Sequence, residues 1–128
     1  MTKLMAIDYG EKRIGVASTD ESGLFSIPRM VLDNNDELLE KIIKFQEENS
    51  IEKVIIGESK NFEGIDNPIQ HEISKFKKEL EKYGIETISH PEILTTREAR
   101  ELQGSTPMTD ASAAALILKS YIDSNAGN

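Results

Sequence analysis

The order of hydrophobic periods constrains this chain more than any other feature. Three short runs of strand character come first, and a helical period appears only after them. "KLMAID" from Lys3 to Asp8 is mostly apolar, "RIGVAST" alternates Ile14, Val16 and Ser18 with smaller residues, and "LFSIPRMVL" runs from Leu24 to Leu32. Short loops join them, the first being "YGEK", so they predict an antiparallel meander. Pro28 removes a ladder donor from the third run and predicts an edge or interrupted strand.

The period then changes. In "DELLEKIIKFQEENS" the residues Leu38, Leu39, Ile42, Ile43 and Phe45 follow helical spacing. "EKVIIG" is a short apolar strand ending at Gly57. Pro68 can open a helix, with Asn67 as its cap. Ile69, Ile73, Phe76, Leu80 and Tyr83 step by four and three along that helix, and Gly84 ends it. "IETIS" is a fifth strand. Thr95 and Glu98 have capping-box spacing and predict a helix start, which Gly104 and Pro107 interrupt. "TDASAAALILKSYID", Thr109 to Asp123, is a last helix whose alanine-rich start allows close packing.

Strands that alternate with helices imply right-handed crossovers and a parallel portion of sheet. A meander followed by crossovers predicts an α/β fold of ribonuclease H-like order: a mixed five-stranded sheet with helices on both faces. The first strand would lie centrally, paired with the meander and with the first crossover strand. Residues 1–123 are expected to form one domain and residues 124–128 a frayed tail.

Asp8 then falls near the carboxyl end of a central strand, where open α/β sheets bind their ligands. A carboxylate there is costly unless a cation or hydrogen-bond donors meet it. Asp8 either makes the turn before Tyr9-Gly10 or holds a metal or phosphate-linked cation. Two further carboxylates stand at element ends: Glu92 after the fifth strand, in "SHPEILTT", and Asp110 at the opening of the last helix. Their plain readings are an exposed loop residue and a residue favoured by the helix dipole. Together with Asp8 they would offer the oxygen ligands that Mg²⁺ or Mn²⁺ requires, in one site or a two-ion site.

Other candidates are weaker. His71 reads as a helix-surface residue, and His90 has no second histidine with which to hold a softer metal. Thr95 and Thr96 are candidate substrate contacts, although capping already accounts for Thr95. Lys12 and Arg13 could meet a phosphate or simply sit exposed in a turn. Lys75, Lys77, Lys78 and Lys82 read as a solvated helix face. "GESKNFEG" lacks the Gly-Lys-Ser/Thr ending of a phosphate-binding loop.

Bulk composition limits the class of partner. The 15 basic residues against 23 acidic give a formal charge of -8, which repels nucleic acid and membranes at long range unless bound cations reverse the sign locally. There is no cysteine, so no disulfide or thiolate metal site. No apolar run is long enough to span a bilayer and none resembles a secretory leader, so a soluble cytoplasmic protein is expected.

Four ordered blocks, "AIDYGEKRIGVASTD", "VIIGESKNFEG", "EILTT" and "TDASAAALILKSYI", resemble the YqgF family over nearly the whole chain. These are small bacterial ribonuclease H-like proteins named as Holliday junction resolvases and linked to processing of the precursor of 16S ribosomal RNA. The resemblance implies a metal-dependent nuclease with Asp8, Glu92 and Asp110 as its acidic trio, acting on structured RNA or branched DNA. Lys12-Arg13 match the family's basic pair. Some positions depart from the family pattern. Glu58-Ser59 replaces Leu-Pro, Pro91-Glu92-Ile93 replaces Asp-Glu-Arg so that an arginine is missing, and "QGSTPMTD" is short and carries no basic residue. These changes touch the substrate side more than the fold.

Three functional classes compete at this point. The first is the nuclease, which would need a homodimer to cut two symmetric strands of a junction. The second is a catalytically weak or inactive module that acts through protein or ribosomal partners. The third is a phosphotransferase of the actin and sugar-kinase kind, for which a chain of this length lacks the second lobe.

Overall fold

The computed structural model describes residues 3–58, 68–91 and 107–125. In chain order the elements are β1 (Leu4–Tyr9), β2 (Arg13–Thr19), β3 (Ser26–Asp33), α1 (Leu38–Glu48), β4 (Lys53–Glu58), α2 (Pro68–Lys82), β5 (Glu86–Pro91) and α3 (Pro107–Asn125). The five strands form one sheet in the order β3-β2-β1-β4-β5. β1 pairs antiparallel with β2 and parallel with β4, and β4 pairs parallel with β5. The central place expected for the first strand is therefore the observed one.

Period-two geometry divides β1 between two cores. Met5, Ile7 and Tyr9 face a large cluster with Leu38, Ile42 and Phe45 of α1 and Ile73, Phe76 and Leu80 of α2. Leu4 and Ala6 face a smaller cluster with Ala17, Ile55 and Ala114, Ile117 and Leu118 of α3. The helices thus cover both faces, as the alternation of strands and helices requires. Every residue of β1 is buried, which is why "LMAIDY" is nearly continuous in apolar character.

β3 lies at the edge, where Pro28 costs no ladder bond between strands. The pairing shifts between Val16 and Ala17, whose partners are Met30 and Pro28, so Arg29 is the extra residue of a bulge. Its guanidinium stacks over the Phe45 ring at 5.5 Å. The strand begins at Ser26, two residues later than the apolar run suggests. Leu24 and Phe25 belong instead to a turn closed on Asp20, whose backbone nitrogen donates to the Phe25 carbonyl at 2.9 Å. The Ser22 hydroxyl donates to Asp20 Oδ1 at 2.6 Å and holds that carboxyl below its ordinary value.

α2 opens at Pro68, a residue suited to the first helical position. Its C-terminus is a Schellman turn: Gly84, at φ 79°, donates to the Glu81 carbonyl, and Ile85 donates to Leu80. That reversal turns Ile85 into the core beside Leu80. It leaves Tyr83 63% exposed, so the apolar stripe ends one residue short of the expected tyrosine. α3 starts at Pro107 rather than Thr109 and continues through Asn125, two residues past Asp123. Asn67 and the capping box at Thr95 and Glu98 lie outside the described residues. Among the described residues no helix is long and apolar enough to cross a membrane.

The Phe76 ring is buried and lies 5.4 Å from the Tyr9 ring, centroid to centroid. Phe76→Ala should destabilise the domain by about 3–5 kcal/mol, measured by urea denaturation. A midpoint equal to that of the parent would show that α2 does not carry this core.

Candidate active site

β1, β4 and β5 are parallel, so their carboxyl ends share one edge of the sheet. Asp8 stands at that edge. By strand alternation it shares the face of Leu4 and Ala6, the face that α3 covers. It is 3% exposed and its Oδ2 atom is shielded from solvent.

The neighbouring strands place glycines beside this carboxylate. Gly15 is the residue paired with Asp8 across β2, and Gly57 follows Ile56, the partner of Ile7 in β4. Neither presents a side chain on the Asp8 face. A glycine inside a strand often marks a close approach by a ligand or by another backbone. Gly15 escapes a reading of the sequence alone, because only the strand register brings it opposite Asp8. Its one signal is a residue without a side chain in the middle of "RIGVAST".

The β1–β2 turn lies at the same edge. Gly10 is required there by close approach: a Cβ on it would stand 2.6 Å from the Arg13 carbonyl oxygen. Asn34, the residue after β3, reaches across to this turn. Its side-chain nitrogen donates to the Gly10 carbonyl at 2.8 Å and its backbone nitrogen donates to the Lys12 carbonyl at 2.9 Å. Lys12 and Arg13 are both exposed on the turn so held.

The remaining candidates divide clearly. Glu92, Thr95 and Thr96 lie outside the described residues, and Glu92 follows directly on the last residue of β5 in the sequence. Asp110 falls in the first turn of α3, with its side chain outside those described. Among the described residues no three histidine or carboxylate side chains form a metal-binding group. His90 is half-buried, with Nε2 2.9 Å from the Ser120 hydroxyl and its ring edge-on to Tyr121 at 6.0 Å, so it ties β5 to α3. His71 is on the helix surface, as expected. Lys75, Lys78 and Lys82 are not equivalent to Lys77, which is half-buried and donates to the Ser89 hydroxyl at 3.0 Å. The solvated face is therefore one lysine narrower than the helical pattern suggests.

Comparison with known proteins places these features in context. Residues 2–124 match the sequence profile of a family described as "RuvX: Holliday junction resolvase". A protein of Syntrophus aciditrophicus (strain SB) that carries the name "Putative pre-16S rRNA nuclease" is 33% identical over 135 residues, 94% of this chain and 88% of that protein. Among solved structures, T. thermophilus RuvC in complex with Holliday junction substrate is similar with a TM-score of 0.65 at 13% identity, over 99% of this chain and 97% of that one. The fowlpox virus Holliday junction resolvase gives a TM-score of 0.59 at 12% identity, over 96% and 99%. At such identities the two structures speak to the fold, which is the ribonuclease H-like fold of RuvC.

The tight β1–β2 turn yields a direct test. Gly10→Ala forces a backbone shift against the Arg13 carbonyl and should cost about 1–3 kcal/mol. The expected signature is a lower urea midpoint at unchanged denaturant slope. An unaltered midpoint would show that the turn is more open than the Gly10–Arg13 approach implies.

Proposed function

The chain belongs to the RuvX family of Holliday junction resolvases, and on that footing we propose that it is a divalent-metal-dependent nuclease hydrolysing phosphodiester bonds in structured nucleic acid. The observation that carries this reading is the placement of Asp8. It is a buried carboxylate at the carboxyl end of the central strand, flanked by Gly15 of β2 and Gly57 of β4, which add no side chains of their own. Such a hard oxygen donor fits Mg²⁺ or Mn²⁺, and a cation offsets the cost of keeping the charge away from water.

Asp8, Glu92 and Asp110 are the residues proposed to hold metal, as one acidic trio. Two supports apply to this chain. Asp8 lies on the sheet face that α3 covers, and Asp110 belongs to the first turn of α3. Glu92 follows β5, whose carboxyl end is at the same edge as that of β1. When bound, a pair of such ions activates water and offsets charge developing on the phosphodiester. Lys12 and Arg13, with Thr95 and Thr96, are proposed to bind and orient the substrate phosphates. Residues 1–123 would act as one domain, in the cytoplasm. Cutting both strands of a junction symmetrically would take two copies of the chain.

Ribosomal RNA precursor and branched DNA are the two substrate classes the reading names. The relative from Syntrophus aciditrophicus is named for the first and the family description for the second. Binding should weaken with added salt in proportion to the phosphates that the basic residues neutralise, since each such contact releases counterions.

The activity test sets folded ribosomal RNA precursor, a four-way DNA junction and plain single strands side by side. Cleavage should require Mg²⁺ or Mn²⁺, and Ca²⁺ should support little of it because its looser coordination positions water poorly. Asp8→Asn, Glu92→Gln and Asp110→Asn should each abolish turnover in a folded protein. Absence of cutting in every substrate, together with a stable protein partner recovered on purification, would favour the non-catalytic module.

A second expectation concerns stability. Clustered carboxylates repel one another in the absence of cations. Asp8→Asn should therefore melt at the same temperature as the parent or higher in EDTA. Mn²⁺ should raise the melting temperature of the parent but not that of the variant. Unfolding of Asp8→Asn in EDTA would mark Asp8 as a structural residue.

A further inference from the structure

We propose that Asn34 is a positioning residue for the substrate phosphates, acting through the β1–β2 turn. The inference rests on the reading above that Lys12 and Arg13 meet substrate, and adds to it the group that holds them in place. The turn from Gly10 to Arg13 follows directly on Asp8-Tyr9, and Arg13 opens β2. Within the Gly10–Lys12 stretch, two backbone carbonyls accept hydrogen bonds from the same residue. Gly10 accepts from the Asn34 side chain at 2.8 Å and Lys12 accepts from the Asn34 backbone at 2.9 Å.

The chemistry of this contact is specific. A carbonyl oxygen can only accept, so the group that faces Gly10 must donate, and the asparagine amide does. An aspartate of the same shape would set a carboxylate oxygen against the carbonyl. The backbone bond to Lys12 extends the β2–β3 ladder one residue beyond the Arg13–Asp33 pair, which fixes where the Asn34 side chain starts. The side-chain bond then spans 24 residues of sequence and is partly shielded from water. Asn34 thereby couples β3, at the sheet edge, to the turn beside Asp8.

Asp8 itself is held in the β1–β2 ladder opposite Gly15, independently of this contact. Removal of the Asn34 amide should consequently loosen the basic pair while leaving the carboxylate in place. The expected result is a defect in substrate binding, with kcat changed far less than KM.

The test uses the full chain and two probes, a fluorescent four-way DNA junction and a ribosomal RNA precursor fragment, with Ca²⁺ present to limit cleavage. Affinity is measured as a function of salt for the parent, Asn34→Ala, Asn34→Asp, Lys12→Ala/Arg13→Ala and the combined variant. If Asn34 positions the pair, both Asn34 variants bind more weakly. The slope of log affinity against log salt also falls in magnitude by about 1–2, roughly one for each phosphate that the basic pair ceases to neutralise. Adding Asn34→Ala to the Lys12→Ala/Arg13→Ala background then changes nothing further. With Mn²⁺, the defect appears in KM.

A purely structural Asn34 would lower the melting temperature and leave the salt slope of the folded fraction unchanged, which overturns the inference. Asn34→Asp keeps the shape of the side chain, so it provides the reading should Asn34→Ala fail to fold. Normal binding by both Asn34 variants, alongside weak binding by Lys12→Ala/Arg13→Ala, sinks the role of Asn34 alone. If Lys12→Ala/Arg13→Ala itself binds normally, the phosphate role of the pair falls and the inference falls with it.

Discussion

The double pairing of β1 governs everything else in this molecule. One short strand is hydrogen-bonded to β2 on one side and β4 on the other, the first antiparallel and the second parallel. A strand in that position has no edge and, with helices above and below, no solvent face. Apolar residues are therefore demanded at nearly every position, and a carboxylate at Asp8 is an exception that runs against the local energetics. Removing an ion from water costs several kcal/mol even after relaxation, on the order of the whole net stability of a small domain. The proposed metal-binding role would offset that cost with a bound cation.

The two faces of the sheet do different work. On the side of α1 and α2 the core is built from large side chains, among them Ile42, Phe45, Ile73, Phe76 and Leu80, packed on Met5, Ile7 and Tyr9. Deep burial of this kind supplies most of the hydrophobic stabilisation, at roughly 25 cal/mol per Å² of apolar surface removed from water. On the side of α3 the contact mixes small residues with Leu4, Ile55, Ile117 and Leu118. Ala111, Ala113 and Ala114 are buried, and the sheet offers Ala6 and Ala17 beneath the helix. Small side chains let the helix approach closely, and the glycines beside Asp8 continue the same thinning of the surface toward the sheet edge. The larger core lies on one face, and the proposed chemistry occupies the other.

Charge follows the same division. The molecule as a whole is acidic, yet the turn next to Asp8 carries an exposed basic pair. Long-range repulsion and short-range attraction can coexist because screening by salt confines each charge to within about 10 Å at moderate ionic strength. A nucleic-acid enzyme of this composition depends on a few well-placed cations, protein-borne or metal. Their exact positions then matter more than their number, which is why a contact as small as the Asn34 amide carries functional weight.

Local periodicity was enough to reveal much of this. The change from period two to period 3.6, Pro28 at an edge, Pro68 at a helix start, Gly84 at a helix end and Asp8 at a strand end can all be read from neighbours within a few residues, because each follows from backbone sterics or from side-chain alternation. The readings that failed turn on specific contacts that the apolar period does not register. Leu24 and Phe25 look like strand but belong to a turn organised by Asp20, Tyr83 looks like core but the Gly84 reversal turns it outward, and Lys77 looks solvated until Ser89 of β5 comes beside it. Gly15 opposite Asp8 and Asn34 against Gly10 have no sequence signature, since each depends on strand register, the first across a hairpin and the second over 24 residues of chain. The sequence by itself determined which segments become strands and helices and which carboxylate is out of place. Only the tertiary structure decided what stands beside that carboxylate, because lateral neighbours in a sheet are set by the register of strand pairing, which the local apolar pattern does not fix.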